Sequence, residues 1–222
     1  MILFADKPSG ITSFDVVNKV KKHFGYKKVG HCGTLDPLAT WLMVLVTDED
    51  TKKAEEYQWF SKTYDAVIDL SLKTDTWDID YHEVKTDIEK PGKEITMEQI
   101  QALLDQLVPL HVLPIPSFSA KKVAWKRMYK SARAGNEIKV DRDMVIKSCH
   151  VTHYEWPLVH ASFDVGSGTF IRSIAYRLGE QLGTGWVIRE LRRTSIADWK
   201  LDELPDLITF SEYEPGWRKV KG

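Results

Sequence analysis

Only two cysteines, Cys32 and Cys149, occur in 222 residues. That is too few for a disulfide framework or a cysteine-built metal site. No apolar run approaches the ~20 residues of a membrane-spanning helix. Residues 1–7 lack the charged start and long apolar centre of a secretory signal. There is no P-loop and no dinucleotide-binding glycine pattern, which argues against nucleotide and redox cofactors. Internal repeats, low-complexity tracts and a strong domain boundary are missing too. Nor is there charge of one sign: 31 basic and 32 acidic residues leave a formal net charge of -1. The whole chain is therefore no polycation, which weakly opposes binding by phosphate neutralisation. The expectation is a cytoplasmic, monomeric globular protein that needs no metal or cofactor. With 43% hydrophobic residues, it can bury a core as one large domain or two small ones. We read residues 1–222 as one domain, weakly patterned beyond residue 204.

What is present is unevenly distributed. Lys19, Lys21, Lys22, Lys27 and Lys28 form one basic cluster. Lys121, Lys122, Lys126, Arg127, Lys130 and Arg133 form a second, and Arg189, Arg192 and Arg193 a third. Acid gathers elsewhere, at Asp48-Glu49-Asp50 and from Asp75 to Asp80. A segregated basic face on a neutral protein suits RNA; solvated helix faces give the same pattern.

Periodicity predicts a strand over Ile2 to Ala5, then a helix capped by Thr12 or Ser13 and ended by Gly25, with Val16, Val17, Val20 and Phe24 on one face. Leu42 to Val46 is a strand or a buried helix; spacing does not decide. Asp65 to Leu72 alternates as a strand. Thr96 opens a helix with a capping box. A helix follows from Lys126 to Ala134, ending at Gly135. Strands are expected near Met144 to Tyr154 and over Leu158 to Val165. A turn over Gly166 to Thr169 leads to a helix reaching Gln181. A short helix carrying Arg189, Arg192 and Arg193 comes last. Strands and helices mix without regular βαβ alternation, which argues for an α+β fold with a mostly antiparallel sheet.

The densest chemistry lies in His31-Cys32-Gly33-Thr34-Leu35-Asp36-Pro37-Leu38-Ala39. Gly33 permits a sharp bend, and Pro37 restricts Asp36 before it. By itself Asp-Pro also reads as a plain turn. Asp6-Lys7-Pro8-Ser9-Gly10-Ile11-Thr12-Ser13 precedes this stretch; Lys62-Thr63-Tyr64 and Gly168-Thr169-Phe170-Ile171-Arg172-Ser173 follow it. These four pieces, in this order, resemble the TruB family of tRNA pseudouridine synthases from residue 2 to about residue 200. Thr74-Asp75-Thr76-Trp77-Asp78 resembles the family's Thr-Asp-Thr-x-Asp segment, and also reads as a polar turn. Phe118-Ser119-Ala120-Lys121 is similar to its Tyr-Ser-Ala-x-Lys segment.

The resemblance implies the pseudouridine synthase fold: a central, mostly antiparallel mixed sheet with flanking helices and a cleft across it. It implies isomerisation of a uridine in the TΨC loop of tRNA, at position 55, with no cofactor. Asp36 would be the catalytic acid, ionised and paired with Arg172, and would either attack C1′ or remove the C2′ proton. Tyr64 would stack on the target base and help move the proton at C5. The base must be flipped out of its loop, and His31 would fill the gap. Lys7 would shape the cleft wall, Lys62 would contact phosphate, and Lys121 and Lys122 would contribute further RNA contacts. The length leaves no room for the RNA-binding C-terminal domain of the PUA type that many members carry. A non-catalytic tRNA-binding or tRNA-folding protein on the same scaffold is the alternative. A carboxylate-dependent hydrolase fits poorly, since no second carboxylate has motif support.

Five positions depart from the pattern. One is Ile115, which stands in place of the first of the family's two prolines, before Pro116. Trp41 and Trp125 stand where the family motifs carry glycine, as do Tyr81 and Ala197. The chain has 8 tryptophans, many for its length. Some bacterial lineages read the codon UGA as glycine, whereas a common alternative table reads it as tryptophan. UGA codons at 41 and 125 would explain both tryptophans.

Overall fold

The computed structural model describes residues 1–79, 85–92, 94–123, 126–136, 139–200, 203–204, 207–210 and 217–220; at 85, 122–123, 126–127 and 217–220 it describes the backbone alone. Tyr81 and Trp125 therefore lie outside the described residues. In chain order the elements begin β1 (Ile2–Lys7), α1 (Ser13–Phe24), β2 (Val29–His31) and β3 (Thr40–Thr47). A 3-10 turn at Asp48–Lys53 leads to α2 (Ala54–Gln58), β4 (Lys62–Asp69), β5 (Leu72–Thr74) and β6 (Lys85–Asp87). Then come α3 (Met97–Asp105), β7 (Leu110–Pro114), β8 (Lys122–Val123), β9 (Lys126–Arg127) and α4 (Met128–Arg133). The chain continues with β10 (Asp141–Glu155), β11 (Leu158–Val165), α5 (Ile171–Leu182), β12 (Val187–Ile196), β13 (Trp199–Lys200), β14 (Leu207–Phe210) and β15 (Trp217–Val220).

Contacts divide the chain into two compact units, Met1–Tyr64 with Leu191–Gly222, and Asp65–Glu190. In the first, strands run in the order β15-β14-β1-β3-β12, with β2 also on β3 and β13 on β12. β3 lies antiparallel to β1 (Phe4 opposite Val44) and parallel to β12 (Arg193 opposite Trp41). Paired on both edges, β3 is buried from Trp41 to Thr47. That explains its continuous apolar run, which carries no period. One core cluster joins Cys32, Leu42, Val44, Val46 and Ile196, under a rim that includes Phe4, Tyr57, Phe60 and Trp199. Trp199 meets the rings of Phe4, Tyr57 and Phe60 at centroid distances of 5.4, 5.6 and 5.8 Å.

Helix α1 forms where its sequence predicts and buries Val16, Val17 and Val20, while Phe24 at its end is exposed. Thr12 and Asp15 make a reciprocal capping box, and Gly25 closes the helix at φ 71°. The Thr96 box also forms, with Gln99 as its partner. In the second unit the strand order is β4-β11-β10-β7. β10 and β11 form a long antiparallel hairpin, with register shifts between Ile146 and Ser148 and between Val151 and His153. Helix α5 buries Ile171, Arg172, Ile174, Ala175 and Leu178.

The segment carrying Arg189, Arg192 and Arg193 is a strand, not the expected short helix. Val187, Ile188, Leu191 and Ile196 have helix-like spacing. The buried positions of the strand, Val187, Ile188, Leu191, Arg193 and Ile196, do not alternate, and one of them is an arginine only 1% exposed. Two further boundaries move. The strand expected from Asp65 starts at Lys62 and ends at Asp69, and α4 starts at Met128 rather than Lys126. Beyond residue 204, β14 pairs parallel with β1, so this stretch belongs to the first sheet despite its weak pattern.

Candidate active site

Asp36 heads a turn closed by the Ala39 N–H donating to the Asp36 carbonyl at 3.0 Å. The plain-turn reading of Asp-Pro therefore holds, with Pro37 at the position its fixed φ favours. The turn is pinned from below. The Lys7 ammonium donates to the carbonyls of Pro8 (2.9 Å), Pro37 (2.9 Å) and Ala39 (2.6 Å). Lys7 is fully buried at the end of β1. From the start of α1, the Ser13 hydroxyl accepts from the Leu35 N–H at 2.8 Å and lies 3.2 Å from the Leu35 carbonyl. The Gly10 N–H donates to the Pro37 carbonyl at 3.0 Å. Every one of these partners comes from the Asp-Lys-Pro-x-Gly-x-Thr-Ser stretch. Two distant motifs are thus one structural device, a carboxylate on a clamped turn.

Gly33 has φ 140°, and a Cβ there would sit 3.4 Å from Arg193 Nη1 and 3.5 Å from Lys62 Cε. Behind it two cations share a buried space. Lys62 is 7% exposed, and its ammonium donates to the carbonyls of Gln58 (3.0 Å) and Phe60 (2.6 Å). Burial, and then the charge of Arg193, pull the Lys62 ammonium down to about 8. The Arg193 Nε–H donates to the Leu42 carbonyl at 2.8 Å. Burial, and secondarily Arg193, also lower His31, which favours the neutral imidazole. Tyr64 is 8% exposed on β4.

In the second unit Arg172, at the start of α5, is 2% exposed. Its Nη1 donates to the Thr76 carbonyl at 2.7 Å and lies 3.5 Å from Asp78 Oδ2; its Nη2 donates to the Phe118 carbonyl at 3.1 Å. Asp78 is itself held, its Oδ1 accepting from the Thr76 hydroxyl at 2.8 Å. The Thr74 hydroxyl donates to the Asp78 carbonyl at 2.8 Å. The Thr-Asp-Thr-x-Asp segment is therefore a buried seat for the arginine. Sequence reasoning singled out Arg172 but not Asp78, whose signal was its place in that motif. Lys121 is exposed; Lys122 pairs through its backbone with Arg127. Of the residues expected at the site, His31, Asp36, Lys7, Lys62 and Tyr64 belong to the first unit, and Arg172, Lys121 and Lys122 to the second. Among the described residues no group of three or more His, Cys, Asp or Glu could hold a metal ion. No helix among them is long and apolar enough to cross a membrane.

The mixed, mostly antiparallel sheet is that of a chain whose sequence matches a family model of pseudouridylate synthases, and this places it in that enzyme class. A chain of the crystal structure of a Cbf5-Nop10-Gar1 complex matches 94% of this chain and is matched over 51% of its own length, with a TM-score of 0.70 and 26% identity. This chain thus spans about half the length of that solved chain. The model of the N-terminal domain of TruB family pseudouridylate synthases matches residues 21–171. The tRNA pseudouridine synthase B of Chlamydia abortus is 39% identical over 206 residues, covering 92% of this chain and 86% of the relative. That of Phocaeicola vulgatus is 34% identical over 220 residues, covering 96% and 92%. The chain belongs to the TruB family of pseudouridylate synthases.

Proposed function

We propose that this chain converts a uridine of the tRNA TΨC loop, position 55, to pseudouridine, with Asp36 as the catalytic residue, acting as a monomer on the T-arm. One observation carries the reading: the clamp of Lys7 and Ser13 on the Asp36 turn, in a chain whose relatives are tRNA pseudouridine synthases. A carboxylate on a rigid turn keeps its geometry when a nucleotide arrives, so little of the barrier is spent on ordering it. The N1–C1′ bond breaks, the base turns over, and C5 bonds to C1′. C5 then loses its proton and N1 gains one, so atoms and electrons balance without an added reagent. Asp36 acts at the sugar, by attack at C1′ or by removal of the C2′ proton. Tyr64 stacks on the turned base and assists the proton at C5. Arg172 serves as the cationic partner of the catalytic acid, and its seat on Asp78 and two carbonyls fixes where its charge lies. A neutral His31 fills the space the flipped base leaves. Lys7 acts through the turn it holds, and Lys62 through the ground behind Gly33. Lys121 and Lys122 meet phosphate.

Incubating unmodified tRNA with the chain and mapping pseudouridine tests this. Product at position 55, lost in Asp36→Ala while tRNA still binds, is the expected result. No product from the parent chain, with tight binding, would leave a tRNA-binding protein in its place. The residue at position 41, directly beyond the turn, gives that outcome a physical basis.

A further inference from the structure

Among the described residues four non-glycine residues have positive φ: Trp41 (89°), Asp48 (49°), Trp77 (64°) and Ala197 (49°). A side chain with a Cβ resists this region, and glycine does not. Asp48 has a local reason. Aspartate tolerates the left-handed region better than most residues, and its carboxylate accepts the Lys27 and Lys28 N–H groups at 3.0 and 3.1 Å. Ala197 begins the two-residue turn joining Ile196 to Trp199, where the turn favours glycine, but no reading of UGA gives alanine.

Neither tryptophan has a side-chain hydrogen bond of the kind that holds Asp48. Trp41 is 5% exposed, and its indole Nε1 is buried without an acceptor. Its ring lies 3.8 Å from the guanidinium of exposed Arg192. Its backbone is fixed by strand pairing, opposite Lys7 on one side and Arg193 on the other. Trp77 is fixed likewise. Its N–H donates to the Thr74 carbonyl at 3.3 Å, and its carbonyl accepts from the Ile188 N–H at 3.0 Å. Its ring stacks on Tyr176 at 4.4 Å, beside a cavity of about 390 Å³ that it lines with Trp186, Phe118 and Lys73. In both places the surrounding chain dictates a glycine conformation, and the bulkiest side chain occupies it. Trp59, Trp156, Trp186 and Trp199 have no positive φ. The misfit therefore concerns particular positions, not tryptophan in general.

We infer that positions 41 and 77 carry glycine in the protein its own cell makes, each encoded by UGA read as glycine. One reassigned codon accounts for both, and position 77 is identified by backbone conformation alone. Glycine at 41 removes the indole from under Arg192 and leaves that guanidinium to solvent and phosphate. Glycine at 77 enlarges the cavity beside Tyr176.

Two measurements test this. The first reads codons 41 and 77 and sequences the peptides spanning them, by mass spectrometry, from protein isolated from the source cells. UGA with glycine in the peptide is expected; UGG, or UGA with tryptophan in the peptide, overturns the inference at that position. The second compares Trp→Gly with Trp→Ala at each position in recombinant protein. Both remove the indole, but only glycine relieves the backbone. The glycine variant should melt about 2–4 °C or more above the alanine variant. An alanine variant of equal or higher Tm would mean that the left-handed backbone is not adopted. If neither variant folds, the codon and peptide measurement still decides.

Discussion

Lys62 carries the most measurable residue-scale consequence of the site. Its folded pKa of about 8 lies below the usual 10.5. Between those values the unfolded chain binds the proton and the folded chain does not, so stability rises with pH in that window. At neutral pH, burying the charged form costs up to about 3 kcal/mol. The unfolding free energy of the parent relative to Lys62→Met should therefore climb by about 2–3 kcal/mol from pH 7 to about pH 10. Urea titrations at each pH measure it, and taking the difference cancels the other titrating groups. A flat difference would mean that Lys62 is solvated. Lys7 offers a simpler test. Lys7→Met keeps the apolar stem but leaves three carbonyls without the ammonium. A loss of about 2–4 kcal/mol is expected, together with a fall in kcat larger than any change in tRNA affinity. Single-turnover assays beside binding measurements separate the two.

Elements decide how motifs become a device. α1 places Ser13 under Leu35 because Thr12 caps it one residue earlier, so the cap and the clamp are adjacent by construction. α5 starts at Ile171, which puts Arg172 in its first turn and within reach of the Thr74 to Asp78 turn. Asp78→Ala would leave that guanidinium buried beside a missing charge. A penalty of about 3–5 kcal/mol is expected, read as a lower urea midpoint with an unchanged slope. At this scale the misread strand is instructive. Apolar spacing identified α1, α3 and β11 because their inward positions are mostly apolar. It failed for β12 because its buried positions do not alternate and one of them is an arginine, and for β3 because a strand paired on both edges is apolar throughout.

Across the whole molecule, the division of labour follows charge. The net charge of -1 leaves phosphate binding to local clusters. Replacing both Lys121 and Lys122 by alanine should lower the slope of log affinity against log salt by about 1.5–2, one cation's worth each, with kcat on saturating tRNA kept within about twofold. Filter binding over a salt series checks the slope. A slope that does not move would remove these lysines from the interface. The family's four motifs and their order were legible in the primary structure, and so were the helix caps; the acid at 36 and the arginine at 172 were singled out by motif alone. Capping, turn chemistry and motif spacing are local properties that a one-dimensional reading can carry. Only folding decided that Lys7 is spent on three carbonyls inside the protein, that Asp78 seats Arg172, that Lys62 and Arg193 are buried together, and that Trp41 and Trp77 stand on backbone shaped for glycine. Each of these depends on which distant segments meet and how water is excluded between them, and no window along the chain contains that information.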